Sequence, residues 1–236
     1  MRMASFGGLA VRLAGGSDGN GGGDGPLVVL MHGFGAPSDD LVVLGDLLEV
    51  PSGTRFAFPA APIALELWAG ARAWWMIDVS RYEAIWSGGG DLRALSEDEP
   101  PGMADARGRV DAMLDELQGE LAVAGSRIAL GGFSQGAMLA CDVALRSDRP
   151  LGGLVILSGS FLCRSIWLER MAARRGLPVF QSHGQADPLL PFSLAEDLRE
   201  AMRAAGLEVD WLSFGGGHEI PPPVLAGASS FLTRVL

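Results

Sequence analysis

Short runs of apolar residues recur along the chain, each four to six residues long. Runs of this kind are typical of buried β-strands, and they lie at Leu27–Met31, Arg55–Phe58, Ile128–Phe133, Leu154–Leu157, Val179–Ser182 and Val209–Phe214. Between most of them, apolar residues recur at the three- and four-residue spacing of a helix with one buried face. The clearest helical examples are Val110, Met113, Leu114, Leu117 and Leu121, and then Leu194, Leu198 and Met202. This alternation predicts an α/β fold with a mainly parallel central sheet and helices on both faces, and ligands bind such sheets at the carboxyl ends of the strands.

Two segments interrupt this alternation within what we expect to be a single domain over residues 1–236. The segment Gly15–Gly25 consists almost entirely of Gly, Asp, Asn and Ser, which cannot bury apolar surface. We expect a flexible hairpin loop there, joining an edge strand at Leu9–Leu13 to the strand Leu27–Met31. From about residue 62 to 102 the pattern is irregular, and we expect an excursion over the ligand-binding edge of the sheet. Its aromatic residues are Trp68, Trp74, Trp75, Tyr82 and Trp86.

Composition and charge narrow the classes of function. Hydrophobic residues make up 48% and charged residues 19% of the 236 residues, which is typical of a compact globular protein. The formal net charge of −10 repels phosphate groups, and no run of Lys or Arg offsets it, so nucleic acid is not an expected partner. No apolar run reaches the roughly 20 residues of a membrane-spanning helix, and no signal-peptide core is present. We therefore expect a cytoplasmic protein without stable membrane insertion.

The motif that bears most directly on chemistry is GFSQG, which begins at Gly132 and matches the pattern GxSxG. It follows the apolar run Ile128–Phe133 and precedes a stretch of small residues typical of a helix, as in the nucleophile elbow of serine hydrolases. There, a tight turn from strand to helix needs the flanking glycines and exposes the serine hydroxyl. A glycine-rich turn with an incidental serine is the alternative. The context favours Ser134 as a catalytic nucleophile.

A serine hydroxyl needs an adjacent base, and the chain has three histidines. His32 and His183 each end a predicted strand, whereas His218 lies in a glycine-rich loop after the last strand. Only His218 follows both the serine and a suitable acid in the order Ser, Asp, His. Asp187 follows the strand Val179–Ser182 and is the predicted orienting acid, with a turn cap before a proline as the alternative interpretation. Asp197 and Asp210 lie within helix and strand patterns and are poorer candidates.

The loop that begins at His32 predicts an oxyanion hole, because its glycines follow a buried strand beside the elbow. The backbone N–H groups of Phe34 and Gln135 are the expected donors, and His32 is expected to make a structural hydrogen bond nearby. Apolar residues near these strand ends are candidates for lining a substrate pocket, with ordinary packing as the alternative. They are Trp74, Trp75, Phe161 and Leu189. The two cysteines, Cys141 and Cys163, lack metal or disulfide spacing and are expected to be buried free thiols.

Four motifs together carry a resemblance to a known family. They are MHGFGA from Met31, GGFSQGAM from Gly131, HGQADPLLP from His183 and GGGHEI from Gly215. The sequence resembles the phospholipase/carboxylesterase family of α/β-hydrolases, which includes acyl-protein thioesterases. The resemblance implies the α/β-hydrolase fold, and it places the family's triad on Ser134, Asp187 and His218 and its oxyanion donors on Phe34 and Gln135.

The implied activity is hydrolysis of small-molecule carboxylic esters or thioesters through an acyl-enzyme, without a cofactor or metal. Esters with short to medium acyl chains are the expected substrates. A lysophospholipase or an acyl-protein thioesterase is the alternative, and a non-catalytic binding module on the same fold is a further one. Family members are often dimers, so a homodimer is one assembly that the resemblance leaves open.

Overall fold

A computed structural model describes residues 1–66, 68–78, 96–97 and 99–236 of the chain. Tyr82 and Trp86 of the predicted aromatic excursion lie outside these residues. The strands are β1 (Arg2–Phe6), β2 (Leu9–Gly16), β3 (Asn20–Gly22), β4 (Leu27–Met31), β5 (Arg55–Pro59), β6 (Ile63–Ala64), β7 (Arg72–Ala73), β8 (Ile128–Phe133), β9 (Gly153–Leu157), β10 (Pro178–Gly184) and β11 (Glu208–Phe214). The helices are α1 (Leu44–Leu47), α2 (Met103–Glu120), α3 (Gln135–Arg146), α4 (Arg164–Met171), α5 (Phe192–Ala205) and α6 (Pro222–Val235).

The central sheet has the strand order β1-β2-β5-β4-β8-β9-β10-β11, with β3 paired to β2. All neighbours from β5 to β11 in this order are parallel, whereas β1 and β2 pair antiparallel with each other, as do β2 and β5. The prediction of a mainly parallel sheet is confirmed. Its carboxyl-terminal edge therefore gathers the loops that follow β4, β8, β9, β10 and β11.

Helices cover both faces of the sheet, as the sequence predicts. The five residues of β4 are all buried and point alternately to two separate apolar clusters. Leu27, Val29 and Met31 join the cluster under α2, α3, α4 and α5, whereas Val28 and Leu30 join the cluster under α1 and α6. A continuous apolar run is what a strand needs when both of its faces are covered. No described helix is long and apolar enough to cross a membrane.

The glycine-rich segment Gly15–Gly25 does not form the predicted hairpin between β2 and β4. Strand β5 lies between those two, and β2 is not an edge strand because β1 pairs with its other side. The segment instead contains β3, which pairs in parallel with the end of β2. The carboxylate of Asp18 closes the turn by accepting hydrogen bonds from the backbone N–H groups of Asn20 (2.7 Å) and Gly22 (2.9 Å). Composition alone does not reveal this side-chain cap.

The described part of the irregular segment lies beside the loop that follows β4. Strands β6 and β7 form a small antiparallel sheet of their own. The backbone N–H of Gly35 donates to the carbonyl of Arg72 (2.8 Å), and the N–H of Arg72 donates to the carbonyl of Ala36 (3.1 Å). These two bonds attach the loop after β4 to β7.

Candidate active site

Ser134 lies at the sharp turn between β8 and α3. Its backbone has φ 55° and ψ −118°, a conformation that residues with a side chain rarely adopt. The glycines on either side are required by close contacts, because a Cβ at Gly132 would lie 2.4 Å from the carbonyl oxygen of Met31. A Cβ at Gly136 would lie 2.0 Å from the same oxygen. The turn therefore has the geometry of a nucleophile elbow, in which backbone strain pushes a hydroxyl out toward the ligand-binding edge.

Asp187 and His218 meet at the same edge of the sheet, although 31 positions separate them. His218 Nδ1 lies 2.7 Å from Asp187 Oδ2. The other carboxylate oxygen, Oδ1, accepts hydrogen bonds from the backbone N–H groups of Leu189 (2.8 Å) and Leu190 (2.9 Å). Burial raises the pKa of Asp187, but the hydrogen bonds from His218, Leu190 and Leu189 outweigh burial, so that the net shift is downward. Asp187 is therefore ionised, and His218 Nδ1 must be the donor in their bond.

Ser134 and His218 line the same cavity. The ring of Phe133, the residue before the serine, lies 4.7 Å from the ring of His218, measured between centroids. None of the hydrogen bonds described for Ser134 joins its hydroxyl to His218. Catalytic hydrogen bonds are often loose in unliganded hydrolases and tighten when substrate binds. The structure thus brings the three candidate triad residues together, with the acid–base bond formed.

His183 lies close to the same carboxylate oxygen of Asp187 that His218 contacts. Its side chain is fully buried, and Nε2 lies 3.0 Å from the carbonyl oxygen of Leu190 and 3.3 Å from Asp187 Oδ2. Because both neighbours accept hydrogen bonds, Nε2 carries the proton. Burial lowers the pKa of His183, which keeps the ring neutral. His183 was not predicted to act in the site, although its place four residues before Asp187, at the end of a strand, is a signal for a supporting role.

The candidate oxyanion donors also lie at the cavity. Phe34 and Gln135 both line it, beside Gly33 and Ser134. Among the hydrogen bonds of the described residues, none involves the backbone N–H of Phe34 or Gln135, although the neighbouring N–H groups of Gly35 and Ala36 both have acceptors. Two backbone N–H groups without a described acceptor, next to a candidate nucleophile, form an arrangement suited to stabilising a developing oxyanion.

The side chain of Gln135 ties the elbow to the aromatic segment. It is fully buried; Oε1 accepts from the backbone N–H of Trp74 (2.9 Å), and Nε2 donates to the carbonyl of Trp75 (2.8 Å). The indole N–H of Trp74 in turn donates to the carbonyl of His32 (2.9 Å). The loop that begins at His32, called the candidate oxyanion loop below, and the elbow are thereby held to one another through Trp74.

His32 has the structural role that the sequence predicts. Its Nδ1 lies 2.9 Å from the carbonyl oxygen of Gly33, and its Nε2 accepts from the backbone N–H of Ala61 (3.1 Å). Burial lowers the pKa of His32, which suits a neutral ring that donates from one nitrogen and accepts at the other.

A cavity of about 360 Å³ lies over the serine and is lined mainly by apolar atoms. Its lining residues are Gly33, Phe34, Ala36, Asp40, Ile77, Phe133, Ser134, Gln135, Met138, Leu189, Leu190 and His218. Of the four predicted pocket residues, only Leu189 is among them. Asp40, Ile77 and Met138 were missed. Met138 is one helical turn after Ser134, which is a signal that sequence alone offers.

Trp74, Trp75 and Phe161 were expected to line the pocket, and their positions correct this interpretation. All three are almost completely buried in the apolar core. Phe161 stacks on Trp167 with ring centroids 5.8 Å apart, and Trp74 holds the carbonyl of His32. Ordinary packing, the alternative interpretation for these residues, describes them better. Their size makes burial favourable, and proximity to a strand end does not decide which way a ring points.

Other sequence predictions concern groups outside the cavity. Cys141 and Cys163 are buried and form no disulfide, as expected, and burial raises the pKa of Cys163 to about 12. The two rejected acids have other partners, since Asp210 pairs with Arg234 (2.5 Å) and Asp197 with Arg164 (3.5 Å). No cluster of three or more His, Cys, Asp or Glu side chains suited to a metal ion occurs among the described residues.

The chain is similar in sequence to known proteins. The model of the phospholipase/carboxylesterase family matches residues 22–236. The chain belongs to this family. Acyl-protein thioesterase 1 of Eremothecium gossypii is 32% identical over 218 residues, covering 86% of this chain and 85% of that protein. Acyl-protein thioesterase 1 of Gibberella zeae is 27% identical over 187 residues, covering 77% of each.

A solved structure extends the similarity to the fold. The crystal structure of esterase PE8 is 26% identical, with a TM-score of 0.78 over 95% of this chain and 100% of that one. The expected α/β-hydrolase fold is thus confirmed. Because its relatives are named as esterases and thioesterases, this member of the phospholipase/carboxylesterase family is a hydrolase of the carboxylesterase type.

Proposed function

We propose that this family member hydrolyses carboxylic esters with short to medium acyl chains through an acyl-enzyme on Ser134. The observation that carries the proposal is the 2.7 Å bond between His218 and Asp187 at the cavity that also holds the strained Ser134. A serine in this backbone conformation, an imidazole and an ionised, buried carboxylate form the combination that activates a hydroxyl.

In the first step, His218 Nε2 accepts the Ser134 proton while Oγ attacks the ester carbonyl carbon. Asp187 holds Nδ1–H in place and stabilises the imidazolium that forms. The carbonyl oxygen becomes an oxyanion, for which the backbone N–H groups of Phe34 and Gln135 are the proposed donors. Each such donor contributes about 3 kcal/mol in the transition state. The alcohol leaves with the proton from His218, and an ester between Ser134 and the acyl group remains.

In the second step, water replaces the alcohol and the sequence repeats. His218 takes a proton from water, the hydroxyl adds to the acyl carbon, and the tetrahedral intermediate collapses. The proton returns to Ser134 Oγ as the carboxylic acid leaves. Water is consumed, and one acid and one alcohol are formed. No step uses a metal or a cofactor.

The size and lining of the cavity support the proposed preference for short to medium acyl chains. A volume of about 360 Å³ is at the lower end for small-molecule sites, and its apolar walls favour a hydrocarbon chain. Leu189 is about half exposed at its rim. Acyl-protein thioesterase activity is the alternative favoured by the names of the curated relatives, since a thioester reacts by the same steps. Lysophospholipase activity is a further alternative within the family.

Replacement of the proposed nucleophile tests the function. Hydrolysis of p-nitrophenyl butyrate by the purified protein should fall by at least about 10⁴-fold in Ser134→Ala, because no other group can form the acyl-enzyme. Ser230→Ala is a matched control, because that hydroxyl lies on α6 and donates to the carbonyl of Ala226. Undiminished turnover in Ser134→Ala would remove the assignment.

Two further measurements separate the alternatives. A fluorophosphonate probe should label the wild-type protein and Ser230→Ala but not Ser134→Ala; absence of labelling in the wild type would favour a non-catalytic binding module. Comparison of kcat/KM for acyl esters of two to sixteen carbons, with a palmitoyl thioester and a lysophospholipid alongside, measures substrate preference. A maximum at the longest chains or at the thioester would contradict the short-to-medium assignment.

A further inference from the structure

Asp40 differs from the other described residues that line the cavity. Ala36, Ile77, Met138 and the two leucines present apolar atoms, and Ser134 and His218 belong to the proposed triad. Asp40 is the only acid among the described lining residues. It lies in the turn after the candidate oxyanion loop, six positions beyond Phe34. An exposed acid thus lines a mainly apolar cavity that also contains the proposed nucleophile.

The Asp40 carboxylate lacks a charged partner of its own in the described part of the chain. Its neighbour Asp39 has one, because Asp39 Oδ2 lies 3.7 Å from Arg12 Nη2. Partial burial raises the pKa of Asp40; the nearby His32 acts in the opposite direction, and Asp39 acts in the same direction as burial. An acid that is partly desolvated and unpaired gains from a cation or a hydrogen-bond donor brought to it.

We propose that Asp40 selects substrates by charge, favouring esters that carry a cationic alkylammonium group near the scissile bond and disfavouring those with an anionic group. The inference rests on the proposed esterase function. An alkylammonium group suits this site because it presents apolar methyl or methylene groups to the cavity wall and a positive charge to the carboxylate. Phe34 also lines the cavity, and an aromatic ring is a favourable surface for such a group.

The size of the expected effect follows from the solvent exposure of Asp40 on the cavity lining. Two opposite charges a few ångströms apart near a protein surface attract with enough energy for roughly a tenfold preference, after solvent screening. The overall charge of −10 adds a weaker attraction that acts at every part of the surface. A local effect of Asp40 is therefore separable from the background by a variant that changes the net charge equally at another site.

Matched pairs of substrates isolate charge from shape. In the first pair the leaving group differs: choline butyrate is compared with its uncharged isostere 3,3-dimethylbutyl butyrate. In the second pair the acyl group differs, with p-nitrophenyl esters of trimethylammoniobutyrate and of its all-carbon isostere. The ratio of kcat/KM for the charged to the uncharged ester is measured for the wild type, Asp40→Asn and Asp39→Asn. Asp39→Asn is the matched control, because it removes the same charge at the adjacent position but does not line the cavity.

For at least one pair, we expect the ratio in the wild type to be roughly ten times the ratio in Asp40→Asn, because the background attraction and the intrinsic reactivity of the charged ester are the same in both proteins. Asp39→Asn should keep most of the wild-type preference, and added salt should reduce it in both proteins. The pair that responds identifies the side of the ester that lies near Asp40. Equal ratios in Asp40→Asn and the wild type, while the uncharged esters are hydrolysed, would overturn the inference and leave the esterase function intact. Failure of the wild type to hydrolyse any of the four esters would overturn the proposed function itself.

Discussion

The substitution Asp187→Asn tests the proposed roles of acid and base with little change in shape. The Asp187 side chain is buried, and its carboxylate accepts three hydrogen bonds, one from His218 and two from the backbone N–H groups of Leu189 and Leu190. An asparagine carbonyl can keep the two backbone bonds. Its amide nitrogen then faces His218 Nδ1 in place of the carboxylate oxygen.

The expected loss of activity follows from the proton on His218. An amide N–H donates, so it favours the tautomer in which Nδ1 is unprotonated and Nε2 carries the hydrogen. That tautomer cannot accept the Ser134 proton. The same substitution lowers kcat by about 10⁴ in another Ser-His-Asp enzyme, and this corresponds to about 5 kcal/mol of activation free energy. We expect a loss of this size here, mainly in kcat.

Steady-state hydrolysis of p-nitrophenyl butyrate measures the effect of Asp187→Asn. The controls are Asp197→Asn and Asp210→Asn, which remove the two acids that the sequence offers as poorer candidates and whose carboxylates pair with Arg164 and Arg234. Each control should retain activity within about twofold, as expected for partly exposed ion pairs. A loss below tenfold in Asp187→Asn, or a comparable loss in either control, would show that another acid orients His218.

Stability in acid gives a second measurement on Asp187→Asn. Because hydrogen bonds lower the pKa of Asp187 in the folded state, its ionised form stabilises the wild type above the unfolded pKa of about 3.9. This stabilisation is lost as the pH falls through the lower folded value. The free energy of unfolding should therefore depend less steeply on pH below about 4 in the variant than in the wild type. Parallel curves would contradict the ionised, hydrogen-bonded carboxylate.

Two further variants test the elbow and its support. Gly136→Ala places a Cβ 2.0 Å from a carbonyl oxygen and should lower the free energy of unfolding by at least about 1–3 kcal/mol, as measured by thermal denaturation. In the control Gly108→Ala the added Cβ meets nothing within 4 Å, so this variant should be neutral or stabilising. Equal stabilities of the two variants would contradict the close packing at Gly136. Gln135→Glu removes the amide that donates to the carbonyl of Trp75 and should lower the free energy of unfolding by about 1–3 kcal/mol at neutral pH. The loss should be smaller in acid, where a protonated glutamate can donate again. A loss that does not change with pH in chemical denaturation would contradict this hydrogen bond.

The parts of the fold that the sequence predicts best are those with continuous apolar runs. The runs at β4 and β8 are buried on both faces, so composition alone marks them as central strands of a parallel sheet. Strand β1 has one fully buried residue and was not predicted, because an edge strand with mostly exposed side chains lacks this signal. The predicted hairpin failed for a related reason. Its turn is closed by one carboxylate, Asp18, and composition does not indicate which strand β2 pairs with.

In the candidate site, too, some features follow from the sequence and others do not. The positions of Ser134, Asp187 and His218 follow from the order of strands and loops, because parallel strands bring their carboxyl ends to a single edge. The direction of a large side chain does not follow from this order. Trp74 is close to Ser134 in the fold, but its ring is buried in the core, whereas Asp40 and Ile77 line the cavity. Such choices depend on packing between segments that are distant in sequence, which no local pattern encodes.

The buried tryptophan segment connects substrate chemistry to the stability of the core. The carboxamide of Gln135 binds the backbone at Trp74 and Trp75, and the Trp74 indole binds the carbonyl of His32. These bonds join the loop that carries one proposed oxyanion donor to the helix that carries the other. An oxyanion hole works only when both N–H groups point to one place before the charge forms. Under the proposed mechanism, the packing of Trp74 positions both donors from outside the cavity lining, so Trp74→Phe should lower kcat for p-nitrophenyl butyrate together with the free energy of unfolding, and should leave KM less affected.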